Sequence, residues 1–203
     1  LFLNFSLYLF SGICDIALFM VLNKSFYQKN TLKVAQDLLG CFLVRKYRGK
    51  IIRGIIAETE AYMGEDDLAS HASRGRTPRT EIMYGEAGRA YVYMIYGMYH
   101  CLNVVTERKN FPAAVLIRKL VDVKIKNKNT EKEEGIILDG PGKICRELKI
   151  DRSLNDWNLT RKEKLWIEKG IKIEKSQIKK LERVGIDYAK HCQHYLWRFS
   201  WVD

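Results

Sequence analysis

Apolar residues in the segment NTLKVAQDLLG fall at Leu32, Ala35, Leu38 and Leu39, one face of a helix. Asn30 or Thr31 can cap its start and Gly40 can end it. The period then changes. CFLVRKY and IIRGIIAETEAY (41–47 and 51–62) alternate or run apolar as strands do, with a turn near RGK. RAYVYMIYGMYHCLNVV (89–105) has strand composition on both sides of Gly97, which predicts a hairpin with its tip at YGM. AAVLIRKLV (113–121) reads as a buried strand, KNKNTEKEEG (126–135) as a charged surface loop, and GPGKICRELKI (140–150) as a helix opened by a Gly-Pro-Gly turn. The lysine-rich RKEKLWIEKGIKIEKSQIKKLERVGIDYA (161–189) mixes helix and strand signals. Hairpins outnumber helix-joined crossovers. The pattern predicts one α+β domain, a mostly antiparallel curved sheet with a protruding β-hairpin and surrounding helices.

The first stretch stands apart. Residues 1–22 are largely apolar but are interrupted by Asn4, Ser6, Ser11, Gly12 and Asp15. Asp15 would be expensive inside a bilayer, and no basic segment precedes the run as in a secretory signal. Residues 1–19 are therefore expected to be an extension, residues 20–203 the working domain, and the membrane no partner. A chain of 203 residues is long enough for a real core, and its formal net charge of +11 favours a polyanionic partner such as nucleic acid. Cys14, Cys41, Cys101, Cys145 and Cys192 are scattered and form no C-x-x-C, so neither a disulfide framework nor a zinc ribbon follows and a reducing cytosolic setting is expected.

Against this basic background ETEAYMGEDDLASH (58–71) gathers five carboxylates and one histidine. Period-two alternation places Glu58, Glu60 and Tyr62 on one strand face, with Ala57, Thr59 and Ala61 packing on the other. Such a pair of acids suits general acid–base hydrolysis, whereas an exposed strand edge would simply carry solvated acids. Glu60, Asp66, Asp67 and His71 could be imagined around a metal, but no ligand spacing singles them out. Arg74, Arg76 and Arg79 follow in RGRTPR and fit phosphate contacts or a solvated loop equally. Tyr91, Tyr93, Tyr96 and Tyr99 crowd the hairpin, and tyrosines in sheets are commonly core. Tyr96, beside the Gly97 turn, cannot easily be core. A projecting aromatic on a basic protein points to a wedge between base steps, and with a carboxylate and aromatic rings to extraction of a base from a duplex.

ETEAY, SHASRGRTPRTEIMYG, AYVYMIYGMYHCLNVV, AVLIRKL and DGPGKICRELKI, in order and with compatible spacing from about Phe26 to Phe199, resemble the alkyladenine (3-methyladenine) DNA glycosylases in their bacterial branch. The resemblance implies a monofunctional base-excision repair enzyme, a monomer at work on DNA in the bacterial cytoplasm, at the nucleoid. It would bind double-stranded DNA containing damaged purines and hydrolyse the N-glycosidic bond without metal or organic cofactor. By position, Glu60 matches the family's general base and Arg118 an arginine beside it, expected to hold Glu60 ionised against burial. Tyr62, His71 and Tyr93 match the rings that sandwich the flipped base. Asn103 matches the residue that screens purines, and Tyr96 the intercalating residue. Arg74, Arg76, Arg79 and Lys143 become candidates for the DNA backbone. Lys119 and Lys143 match no Schiff-base nucleophile, so water is the expected attacker.

The chain departs from the family pattern after LIRKLVD, where an arginine-rich helix is reduced to KIKNKNTEKEE, and at its C-terminal WRFSWVD. Both departures bear on DNA affinity and terminal packing, not on chemistry. Two other readings compete: a non-catalytic protein that binds damaged DNA with the same flipping surface, and a carbohydrate hydrolase using Glu58 and Glu60. The second fits poorly with the positive charge and the hairpin tyrosine.

Overall fold

In the computed structural model, which describes residues 20–127, 130–131 and 135–202, two long strands form the spine. They are β2 (Lys50–Met63) and β5 (Ala113–Asn127), antiparallel and paired from Ile51↔Lys126 to Met63↔Ala113. The predicted extension, residues 1–19, lies outside the described residues. Before the spine come α1 (Lys24–Tyr27), α2 (Thr31–Asp37) and β1 (Phe42–Tyr47). Asn30 caps α2 by accepting the Leu32 N–H on its side chain (3.1 Å). Gly40 follows at φ +83, where an added Cβ would sit 2.4 Å from the Ile171 carbonyl oxygen, so only glycine fits this exit. β1 and β2 join through Arg48 and Gly49, both at positive φ, as a two-residue type I′ hairpin requires.

The rest of the sheet builds outward. The hairpin β3 (Ala90–Ile95) and β4 (Tyr99–Val105) adds to one side of β5, with β1 on the far side of β2. Short strands complete it: β6 (Thr130–Glu131) and β7 (Ile136–Asp139) against β5, β8 (Leu165–Glu168) against β1, and β9 (Ile178–Leu181) beside β10 (Arg198–Trp201). β10 pairs with the same stretch of β2 that carries the paired acids, Arg198↔Glu60 and Ser200↔Glu58. All ten described strands belong to one mostly antiparallel sheet, and the domain is α+β. Its core face carries Leu43, Ile56, Ala61, Leu102, Val115 and Ile117, covered by α2 and by α3 (Pro141–Glu147) through Val34, Leu38, Ile144 and Leu148. Thr59 is polar yet wholly buried on that face, because its hydroxyl donates to the Ala35 carbonyl at 2.8 Å.

One sequence expectation is corrected and one open reading is resolved. Among its described residues KNKNTEKEEG is not all loop: Lys126 and Asn127 belong to β5 and pair with Glu131 and Thr130 of β6, because Ile51 and Ile52 of β2 offer pairing partners that far along. The 161–189 tail holds no α-helix among its described residues. It is made of β8, β9 and short 3₁₀ turns, since its apolar positions are claimed by strand pairing and not by a helical face.

Candidate active site

Glu58, Glu60 and Tyr62 share one face of β2, as alternation predicts, but β2 is not an edge. Strands flank it on both sides there, and Glu60 is wholly buried. A solvated acidic edge is thereby excluded. Three donors meet the Glu60 carboxylate. The Tyr62 hydroxyl donates to Oε2 at 2.8 Å, the Val184 N–H donates to Oε1 at 2.8 Å, and Arg118 Nη1 lies 3.4 Å from Oε1. Arg118 reaches this face by alternation from Leu116, the partner of Glu60, and a β-bulge lies beside it. Thr59 pairs with Ile117 and Glu58 with Lys119, so Arg118 is the extra residue between them. Its Nε also donates to Glu58 Oε1 at 3.1 Å, and Arg198 Nη1 approaches the same oxygen at 3.4 Å. Glu58 is thus held by two guanidiniums.

Burial raises the pKa of Glu60 above the usual carboxylate range, opposed by Arg118, the Val184 N–H, the Tyr62 hydroxyl and Arg183. Arg118 is the largest of these opposing causes, and the net direction stays upward.

Cross-strand register builds the rest. Glu60 pairs with Leu116, Leu116 with Asn103, and Asn103 with Tyr91, so one row crosses β2, β5, β4 and β3 on the same face. Asn103 is buried and donates through Nδ2 to the Tyr91 carbonyl at 3.2 Å. Tyr93 stands two residues along from Tyr91. The His71 ring meets it edge-on, with centroids 4.6 Å apart, and His71 Nδ1 lies 2.9 Å from the Tyr91 hydroxyl. Burial, with Arg79 and Arg74 nearby, lowers the His71 pKa to about 4, so the imidazole is neutral at physiological pH. Tyr96 sits at the hairpin tip with φ 51, followed by Gly97 at φ 70, and is 85% exposed. Positive φ at both positions is what the turn demands, and it aims the tyrosine away from the sheet.

The arginines differ among themselves. Arg74 is exposed, Arg76 pairs with Glu81 at 3.1 Å, and Arg79 leans on the site, its guanidinium 5.2 Å from the Tyr93 ring centre. Lys143 is exposed on the first turn of α3. The imagined metal cluster does not assemble: Asp67 is bound bidentately by Arg183, and no group of three His, Cys, Asp or Glu among the described residues could hold an ion. Sequence reading missed Arg183, the Val184 amide and the bracing role of Tyr91. Only Tyr91 had a signal, its place two residues before Tyr93 on one strand face. A cavity of about 540 Å³ beside Asp67 is lined by Met63, Phe111, Tyr195 and Trp197 among others, and by none of the predicted base-pocket residues.

Around this antiparallel sheet with its buried carboxylate, edge-on and tilted aromatic rings and exposed hairpin tyrosine, the comparisons with known proteins place the chain among the DNA glycosylases. Within that class the chain belongs to the methylpurine-DNA glycosylase family, whose model matches residues 25–203. It is 44% identical over 186 residues to a Methanocella arvoryzae protein (88% of this chain, 91% of the relative) and 42% identical over 198 residues to one from Clostridium perfringens (91% and 97%). A Sodalis glossinidius relative is 51% identical over 140 residues, covering 69% of this chain and 75% of its own. All three carry the name "Putative 3-methyladenine DNA glycosylase".

Proposed function

We propose that this protein is a monofunctional purine DNA glycosylase that flips an alkylated or deaminated purine out of double-stranded DNA and hydrolyses its N-glycosidic bond. The observation that carries the reading is the wholly buried Glu60, held by Tyr62, Val184 and Arg118 on the sheet face that also carries Asn103 and Tyr91. In this reading water attacks C1′ of the sugar. Its proton goes to Glu60, its oxygen bonds C1′, and the departing base takes the pair of the broken C–N bond. A carboxylate whose pKa is raised by burial is a better proton acceptor near neutral pH than an ordinary one, and its charge stabilises the oxocarbenium character on the sugar.

Tyr62, His71 and Tyr93 would sandwich the flipped base, and Asn103 would screen its exocyclic group. Electron-rich rings bind a cationic alkylated base through their faces, and a neutral His71 adds no repulsion. Tyr96 would fill the gap in the duplex and offset part of the few kcal/mol that flipping costs. Arg74, Arg79 and Lys143 are the backbone contacts that remain open, while Arg76 would have to leave Glu81. Lys119 Nζ lies 3.8 Å from Asp139 and is not among the groups that meet the Glu60 carboxylate, which supports water and not an amine as nucleophile. The test is incubation with duplexes that each carry one lesion, reading released base and abasic sites separately. Base release without strand scission is expected. Tight lesion binding with no release from any duplex refutes catalysis.

A further inference from the structure

Arg183 is the least expected group near the site. It follows Glu60 by more than a hundred residues in the chain, its side chain is wholly buried, and it answers to nothing in the mechanism above. Its two terminal nitrogens donate four hydrogen bonds. Nη1 donates to Asp67 Oδ2 at 2.6 Å and to the Ala61 carbonyl at 2.9 Å; Nη2 donates to Asp67 Oδ1 at 2.8 Å and to the Cys192 carbonyl at 3.2 Å. Asp67 in turn accepts the N–H groups of Met63 (3.3 Å) and Ala69 (3.1 Å). The guanidinium also lies between two rings, 4.8 Å from the centre of Tyr62 and 5.0 Å from that of Trp197.

Three of these contacts, to Ala61, Met63 and Tyr62, fall on or next to a donor of Glu60. Ala61 separates Glu60 from Tyr62, Met63 follows Tyr62, and Val184, whose N–H holds Glu60 Oε1, is the next residue after Arg183. Tyr62, whose hydroxyl holds Oε2, rests on the guanidinium itself. We propose that Arg183 and Asp67 are a positioning pair: one buried fork that fixes both hydrogen-bond donors of Glu60, and so its geometry and its ionised form. The inference rests on Glu60 being the general base. Lysine cannot replace the fork, because an ammonium lacks the planar bidentate geometry and the flat face that stacks between two rings. Burying so costly a pair is otherwise hard to account for, since apolar packing at such a site is commonly as stable.

The experiment is single-turnover base release across pH on a hypoxanthine duplex, with lesion-duplex affinity and thermal unfolding measured on the same samples. Arg183→Lys keeps the charge and Asp67→Asn keeps the size. In Arg183→Lys the rate constant should fall about 10²-fold, the scale of a small misplacement of a reacting group. Lesion affinity should fall much less. The acid limb of the pH profile should move to higher pH in both variants, because the two donors that favour ionised Glu60 are slackened. Rate and affinity falling in proportion with an unmoved acid limb, or both variants failing to fold, would make the pair merely structural and overturn the proposal. Wild-type protein that releases no base from any of the single-lesion duplexes would instead sink the glycosylase reading on which it rests.

Discussion

Glu60→Gln replaces a buried carboxylate by an amide of the same shape, and the surrounding hydrogen bonds dictate how that amide sits. The Val184 N–H can only donate, so the amide oxygen must take the Oε1 position, 2.8 Å from it. The amide nitrogen then faces the Tyr62 hydroxyl, which can turn from donor to acceptor. Arg118 keeps its 3.1 Å contact with Glu58. The second amide N–H and the turned Tyr62 proton gain no named partner, while the desolvation that raises the Glu60 pKa disappears with the charge. The two effects oppose each other, and the fold should survive with a modest change in stability. The chemistry should not. Loss of a positioned base alone lowers the rate by roughly 10²–10⁴, about 2.7–5.5 kcal/mol of barrier, and lost oxocarbenium stabilisation adds to it.

Single-turnover base release reads the chemical step, and a separate lesion-duplex titration reads binding, which should persist because the aromatic rings and Tyr96 are untouched. Glu58→Gln is the control on the same strand face. It removes the ion pairs with Arg118 and Arg198 but no base, so chemistry should stay within about an order of magnitude, ~1.4 kcal/mol of barrier, once folding is matched. If Glu60→Gln turns over within tenfold of wild type while Glu58→Gln is dead, the assignment is one side chain off and the reasoning from burial fails.

Tyr96→Ala should weaken capture of a flipped lesion more than binding to plain duplex, since the side chain is 85% exposed and carries no charge; equal losses in two binding titrations would contradict a wedge. Affinity for undamaged duplex should fall with salt at a log–log slope of about −0.9 per phosphate neutralised, and a flat dependence would exclude the basic surface as the binding face. The Glu60 pKa is raised, so the base is lost by protonation as pH falls through a value above the ordinary carboxylate range; an acid limb at an unperturbed position in the base-release profile counts against the assignment. His71 has the opposite sign. Its pKa is lowered from 6.5 to about 4, so the stability it contributes is present above 6.5 and lost as pH falls toward 4, and melts of wild type should decline more over that window than those of His71→Gln.

Much of this protein is written in local pattern. Alternation alone puts Glu58, Glu60 and Tyr62 on one face, because a strand's side-chain period is two whatever surrounds it. The glycine after Tyr96 marks the turn that exposes it, and Asn30 and Gly40 bracket α2, because caps and positive φ are properties of a few consecutive residues. The ordered motifs from ETEAY to GPGKICRELKI carry the family. What local pattern could not carry is which charges are buried and what meets them. Lys119 stands opposite Glu58 in the sheet, yet the neighbouring Arg118 makes the ion pair, because Arg118, two residues from Leu116, shares the Glu60 face while a bulge that only the pairing register reveals carries the register on to Lys119. Asp67 reads as one more acid in a polar loop until Arg183 is brought to it. The amide of Val184 has no side-chain signature at all, but closes on Glu60 from 124 residues away. Periodicity travels a few residues along a backbone. The partner of a buried carboxylate is chosen by the closure of the sheet around it, where desolvation makes every unpaired group expensive.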